Sequence, residues 1–222
     1  MTKTKTNKKE VVDLLFSYLD EILPNASCEL IYKKDYELAI AVILSAQTTD
    51  NSVNKVTPIL FDKYKSIHNL ANANVFDVEN IIKSIGLYKN KASNIVAFAK
   101  ELEERFDSIL PSDKKDLTSL SGVGNKTAGV IRCEVFKIPD LPVDTHILRI
   151  TKRLNLASKD DDADKTEAKL KKLIEEKRWI KTHHQLIHFG RYYCKAKNPL
   201  CNNCKVKDYC NYFKYNSSTT AK

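Results

Sequence analysis

Lys126 and Asp144 are the residues best suited to covalent chemistry, 18 positions apart in a chain of 222. The lysine sits in Leu120-Ser121-Gly122-Val123-Gly124-Asn125-Lys126-Thr127-Ala128, and the aspartate in Val143-Asp144-Thr145-His146. Glycine at positions 122 and 124 permits positive φ and close approach of another chain. A helix starting near Asn125 then points its unpaired N–H groups at whatever lies beyond, an arrangement that suits phosphate. Lys126 falls in the first turn of that helix, where positive charge is disfavoured, so its neutral fraction is expected to rise. A neutral amine is a nucleophile able to form a Schiff base with a sugar aldehyde carbon. Asp144 precedes a helix start and reads first as an N-cap; its second oxygen can take a proton or stabilise growing positive charge.

A second constellation is sulfur. Cys194, Cys201, Cys204 and Cys210 follow the pattern C-x6-C-x2-C-x5-C within 17 residues. Four thiolates hold either Zn²⁺ or an iron–sulfur cluster, and spacing alone leaves both open. Cys28 and Cys133 lie outside the quartet and read as buried thiols. His183, His184 and His188 lie just upstream and read as packing or hydrogen-bonding groups, since four cysteines already complete a site.

Net charge is +9, which favours an anionic partner. Lysine supplies 31 of the 37 basic residues, a skew that a composition habit of the genome can also produce, so charge alone does not identify nucleic acid. Positions 181–215 hold seven basic residues and one acid, Asp208. Lys195 and Lys197 lie between two cysteines in a loop too short to hide them and are candidate phosphate contacts. No apolar run approaches the length of a membrane span, so no membrane role is expected. The N-terminus carries no secretory pattern, which favours a reducing compartment, the cytoplasm, over a disulfide scaffold.

The elements positioning these residues are helical. Apolar spacing of three and four recurs through Val12, Leu15, Phe16, Leu19 and Leu23 and again through Ile95, Phe98, Ala99 and Leu102, the last a long helix ending near Phe106. Leu38 to Leu44 is nearly all apolar and predicts a central buried helix. No sustained alternation suggests a sheet, so the fold class is all-α. Pro58 interrupts the helical stretch from Ser52 to Tyr64, predicting a kink or a break there. Asp113 predicts a cap. Pro139 to Pro142 predicts an extended link. Asp160 to Asp164 predicts a solvated acidic turn. Met1 to Glu10 reads as a frayed basic arm and 216–222 as a disordered tail.

Leu120 to Ala128 taken with Val143 to His146 resembles the helix–hairpin–helix and catalytic segment of the endonuclease III family of DNA glycosylase/AP lyases. The likeness runs from about Val11 to Cys210. The family motif usually carries proline at the place of Ser121; both glycines and the lysine are kept. The resemblance implies that Lys126 is the Schiff-base nucleophile and Asp144 the catalytic carboxylate. It implies a [4Fe–4S] cluster on the four cysteines, with zinc the alternative. Leu44 to Asp50 is similar to a family loop whose glutamine enters the duplex, and Ile85-Gly86-Leu87-Tyr88 to one whose leucine wedges into the stack. Gln47 and Leu87 take those roles by resemblance, and Gly122, Gly124, His146, Lys195 and Lys197 join them as DNA-binding residues.

The implied architecture is two helical domains with a DNA cleft between them. Residues 27–137 form a helical barrel with the hairpin, 138–215 the cluster domain, and 1–26 an arm and helix packing on the latter. The implied activity is removal of oxidised pyrimidines from duplex DNA, then β-elimination on the 3′ side of the abasic site. The expected partner is duplex DNA with damaged bases or abasic sites, bound by a monomer associated with the nucleoid. The alternatives are a monofunctional adenine or mismatch glycosylase and a non-catalytic DNA-binding module with structural zinc.

Overall fold

The structure, a computed structural model, describes residues 7–219. Among these the regular elements are all helical. They run α1 (Lys8–Ile22), α2 (Asp35–Leu44), α3 (Asp50–Lys63), α4 (Ile67–Ala71), α5 (Val75–Ile82), α6 (Tyr88–Phe106), α7 (Lys114–Thr118), α8 (Asn125–Glu134), α9 (Thr145–Arg153), α10 (Ala163–Leu173), α11 (Trp179–His188) and α12 (Asn211–Thr219), with short 3₁₀ and π turns after α10 and α11 and before α12. No described helix is long and apolar enough to cross a membrane.

The chain divides into two compact units, residues 28–138 and residues 1–27 with 139–222. In the first unit the buried helix predicted at Leu38 to Leu44 is α2, with every residue from Glu37 to Leu44 buried. A helix buried all round has neighbours on every side; its residues join Val53, Val56 and Leu60 of α3, Ile95, Phe98 and Leu102 of α6, and Ala128 and Ile131 of α8 in one core. In the second unit Val11, Leu15 and Leu19 of α1 pack with Ile147 and Ile150 of α9, Leu170 of α10 and Leu186 of α11.

Short polar side chains set the helix starts, as N-cap chemistry requires. Asn7, Thr49, Ser66, Asn74, Asp113, Asp144 and Asp162 each accept a backbone N–H from the first turn of the helix they precede. The Glu37 carboxylate instead reaches back to the N–H groups of Lys33 and Lys34, at 2.8 and 3.3 Å.

Several local expectations are corrected. Of the two alternatives at Pro58, kink or break, the break does not occur: α3 is continuous, and Pro58 lies on its exposed side, where water can hydrate the carbonyl that the ring leaves without a donor. The basic arm does not extend to Glu10. Asn7 caps α1, burial of Val11 and Val12 anchors it, and Lys8 Nζ donates to the Leu156 carbonyl at 3.1 Å; residues 1–6 lie outside the described residues. The expected tail begins as helix, since α12 continues to Thr219; the Arg153 guanidinium lies 3.9 Å from the Tyr212 ring centroid and anchors its start. Only residues 220–222 of that tail lie outside the described residues. The acidic turn is not all solvated: Asp162 caps α10, and Asp161 is buried, accepting from the Ser158 N–H at 2.7 Å and from Lys169 at 2.6 Å.

Candidate nucleic-acid interface and sulfur cluster

Within the first unit, Leu120 to Val123 forms a tight turn closed by the Val123 N–H on the Leu120 carbonyl at 3.1 Å. Gly122 has φ +78°, the left-handed value required at the third position of a type II turn. A Cβ there would lie 3.0 Å from Ile43 Cγ2 and 3.1 Å from Asn94 Cβ, so the turn seats directly on α2 and α6. Gly124 differs. Its backbone is extended, and an added Cβ would meet nothing within 4 Å. The two glycines of the motif therefore have different causes: one is imposed by the fold, and the other leaves space open on the outside.

Gly124 is the N-cap of α8 and offers no side chain, so no side chain caps this helix. Lys126 lies in its first turn and is exposed. Ser121 is fastened below it: the backbone N–H and the hydroxyl donate to the two carboxylate oxygens of Glu101 on α6, each at 2.7 Å.

Gln47 and Leu87 also belong to this unit. Gln47 sits in the turn between α2 and α3 with φ 53°, and Leu87 is the N-cap of α6 with φ 59°. Positive φ is uncommon for residues with a side chain and concentrates where function constrains the backbone. Both are exposed, Leu87 at 56%. The two loops meet: a Cβ on Gly86 would lie 3.9 Å from the Gln47 carbonyl oxygen.

In the second unit, Asp144 is a half-buried N-cap of α9, its Oδ1 accepting the Ile147 N–H at 2.8 Å. The cap therefore uses one carboxylate oxygen, as the sequence anticipates. His146 comes next, in the first turn. Burial lowers its pKa from the ordinary value against the opposing pull of Asp144, and Arg149 and Arg191 lower it further. Arg149 Nη2 donates to His146 Nδ1 at 3.2 Å.

The same helix grips the cysteine loop. Arg149 donates to the Gly190 carbonyl at 2.7 Å and to the Cys194 carbonyl at 3.0 and 3.1 Å. Arg153 donates to the Lys195 and Ala196 carbonyls and, at 3.2 Å, to Cys194 Sγ. All four quartet cysteines line one pocket with Ile150, Phe189 and Val206. Burial raises the Cys194, Cys201 and Cys204 thiols, the last to about 11, and the cysteines raise one another. Among the described residues no three His, Cys, Asp or Glu side chains form a ready metal-ion group. Lys195 and Lys197 are exposed in the loop between Cys194 and Cys201. His183 and His184 are buried and stack edge to face, and His183 Nδ1 donates to the Pro142 carbonyl at 2.9 Å.

Sequence reasoning did not single out Lys91, Glu101, Arg149 or Arg153. Only Lys91 left a signal: it falls on the apolar register of Ile95, Phe98 and Leu102.

Helices carrying a glycine hairpin with a first-turn lysine define a helix–hairpin–helix protein. Residues 40–176 match the HhH-GPD superfamily of base excision DNA repair proteins. Endonuclease III of Bacillus subtilis is 40% identical over 90% of this chain and 91% of its own. That of Escherichia coli K12 is 38% identical over 93% and 97%. A solved structure of a trapped endonuclease III–DNA covalent intermediate superposes with a TM-score of 0.92 at 40% identity, covering 96% of this chain and all of that one. A non-covalent endonuclease III–DNA complex gives 0.93 at 39% with the same coverage. The chain belongs to the endonuclease III family.

Proposed function

We propose that this protein is a bifunctional DNA glycosylase and abasic-site lyase that removes oxidised pyrimidines from duplex DNA. The observation that carries the reading is Lys126, an exposed amine in the first turn of an uncapped helix, directly after the Gly122 turn. The covalent endonuclease III–DNA intermediate among its structural relatives supports the same chemistry.

In the reaction, the Lys126 Nζ lone pair attacks the sugar C1′ and the glycosidic C–N bond breaks, the base leaving with its bonding pair and taking up a proton from solvent. The Asp144 carboxylate accepts the proton that the new C1′–N bond releases and balances positive charge on the sugar. The same proton passes from Asp144 to O4′ as the C1′–O4′ bond breaks, and the opened ring is the Schiff base. Loss of a C2′ proton then expels the 3′ phosphate by β-elimination. The hairpin N–H groups with Gly122 and Gly124 hold a backbone phosphate. Gln47 and Leu87 enter the duplex where the target base has left the stack, Leu87 as an apolar wedge. His146, Lys195 and Lys197 add contacts to the DNA.

The four cysteines suit a [4Fe–4S] cluster: they supply four sulfur donors around one pocket, and the Arg153 Nη1–H bond to Cys194 Sγ would offset thiolate charge. Cys194, Cys201, Cys204 and Cys210 would hold it, and its contribution when bound is structural, fixing the loop of Lys195 and Lys197. On this reading a monomer acts on chromosomal DNA in a reducing compartment.

Borohydride trapping on an abasic duplex tests the reading. Wild type is expected to form a covalent adduct and Lys126→Ala none. Failure of both, with folded and iron-loaded protein, leaves a binding module in place of a lyase. Iron and sulfide analysis of yellow-brown protein tests the cluster; colourless protein with stoichiometric zinc reverses it.

A further inference from the structure

Lys91 is 3% exposed, on the face of α6 shared with Ile95, Phe98 and Leu102. A buried ammonium is costly, and desolvation lowers its pKa from the ordinary lysine value. Among the described residues its side chain makes one hydrogen bond, from Nζ to Thr48 Oγ1 at 2.6 Å. The Thr48 hydroxyl in turn donates to the Ala46 carbonyl at 3.4 Å, so the contact braces both neighbours of Gln47. Lys91 stands in the first turn of α6, directly after the second loop, where its backbone N–H makes the ordinary helix-opening bond to the carbonyl of the N-cap Leu87 at 3.1 Å. Gln47 and Leu87 both hold left-handed backbone, which is costly for a residue with a side chain.

We infer that Lys91 is a positioning residue that ties the Gln47 loop to the Leu87 loop, so that the two side chains enter the duplex as one preset unit. The inference rests on the proposed duplex-entering roles of Gln47 and Leu87. The buried charge explains little else about the core. A methionine of similar length would fill the same space without the desolvation cost of a buried charge. The cost of the ammonium is repaid only if the bond to Thr48 matters to the loops.

Lys91→Met, Thr48→Val and Thr48→Ser are compared with Gln47→Ala and Leu87→Ala. Single-turnover base release is measured on one lesion presented twice, in a fully paired duplex and in single-stranded DNA. Lys91→Met and Thr48→Val are expected to lose about tenfold or more on the paired substrate and little on the single strand, because only the paired base must be expelled from a stack. Thr48→Ser should restore the rate, and Lys91→Met should melt no lower than wild type. Equal losses on both substrates, or none on either, overturn the inference. If Lys91→Met does not fold, Thr48→Val carries the test with the lysine in place. Absence of the paired-to-single contrast in Gln47→Ala and Leu87→Ala defeats the duplex-entry reading and this inference with it. Contrast in those two without contrast in Lys91→Met or Thr48→Val overturns the inference alone.

Discussion

Ser121 gives both its backbone N–H and its hydroxyl to the carboxylate of Glu101, one to each oxygen at 2.7 Å. Ser121 occupies the second position of the Leu120–Val123 turn, where proline is favoured because its ring presets φ. The serine reaches the same end by a different route: bonds to α6 hold the turn in place of a ring. Proline at 121 would delete the donating N–H as well as the hydroxyl, so the value of Ser121→Pro depends on Glu101. With Glu101 present, the substitution strips the carboxylate of both partners and is expected to be neutral or destabilising. In a Glu101→Ala background only the reduced freedom of the unfolded chain remains, and Ser121→Pro should stabilise by about 0.4–1 kcal/mol. Denaturant midpoints of the four proteins in the cycle measure this. Equal effects in both backgrounds would show that the two residues are not coupled.

The two hairpin glycines separate stability from binding. Gly122→Ala places a Cβ on a left-handed backbone and within 3.0 Å of Ile43 Cγ2, and should cost on the order of 1–3 kcal/mol by thermal melting. Gly124→Ala has open space and extended backbone, so its melting temperature should stay close to wild type. If a phosphate approaches there, the same methyl group should weaken affinity for an abasic-analogue duplex severalfold, measured by anisotropy at fixed salt. Unchanged affinity in Gly124→Ala would place the phosphate elsewhere.

Features that obey local rules were legible in the sequence. α2 and α6 announce themselves by apolar spacing, and Asp113 and Asp144 by cap chemistry before a helical run. The hairpin was readable because glycine and lysine occupy fixed places around a helix start. Partnerships across the chain were not. The Glu101 clamp joins residues 20 apart, and the Arg149 contact to the Cys194 carbonyl spans 45; nothing in local spacing specifies either. The turn at Asp160 to Asp164 looked solvated because clustered acids are usually exposed, yet Lys169 and the Ser158 N–H bury one of them. The motif pattern likewise treats its two glycines alike, and only packing on Ile43 and Asn94 tells them apart.

Asp20 supplies an acid-sensitive tie between α1 and α11. Its carboxylate accepts from Arg178 at 3.0 Å, Lys181 at 2.7 Å and Gln185 at 2.9 Å. The Arg178 hydrogen bond is the largest cause holding its pKa well below the ordinary carboxylate range, and desolvation opposes it. A carboxyl with a depressed folded pKa binds protons more readily when the chain is unfolded. Its contribution is therefore fully present above the unfolded value of 3.8 and is lost as pH falls below it. Asp20→Asn should lower the melting temperature at neutral pH and flatten the fall in stability on the acid side of that value. Calorimetry across the acid range checks both. An unchanged acid slope would assign the titration to other carboxylates.

Asp144 tests whether capping and catalysis divide between two oxygens of one side chain. Oδ1 accepts the Ile147 N–H at 2.8 Å, a bond that an asparagine carbonyl oxygen can also accept. Asp144→Asn should therefore keep the helix start and the melting temperature. Asp144→Ala loses the cap and should cost about 1 kcal/mol. Under the proposed mechanism both lose the carboxylate charge that stabilises the sugar and accepts the proton. Base release should then fall by roughly 10²–10⁴-fold in both variants, with duplex affinity nearly intact. Single-turnover rates at saturating protein, paired with binding to an uncleavable analogue, separate the two contributions. If Asp144→Asn releases base at the wild-type rate while Asp144→Ala is slow, the residue acts only through the helix it caps, and the proton must go to another group.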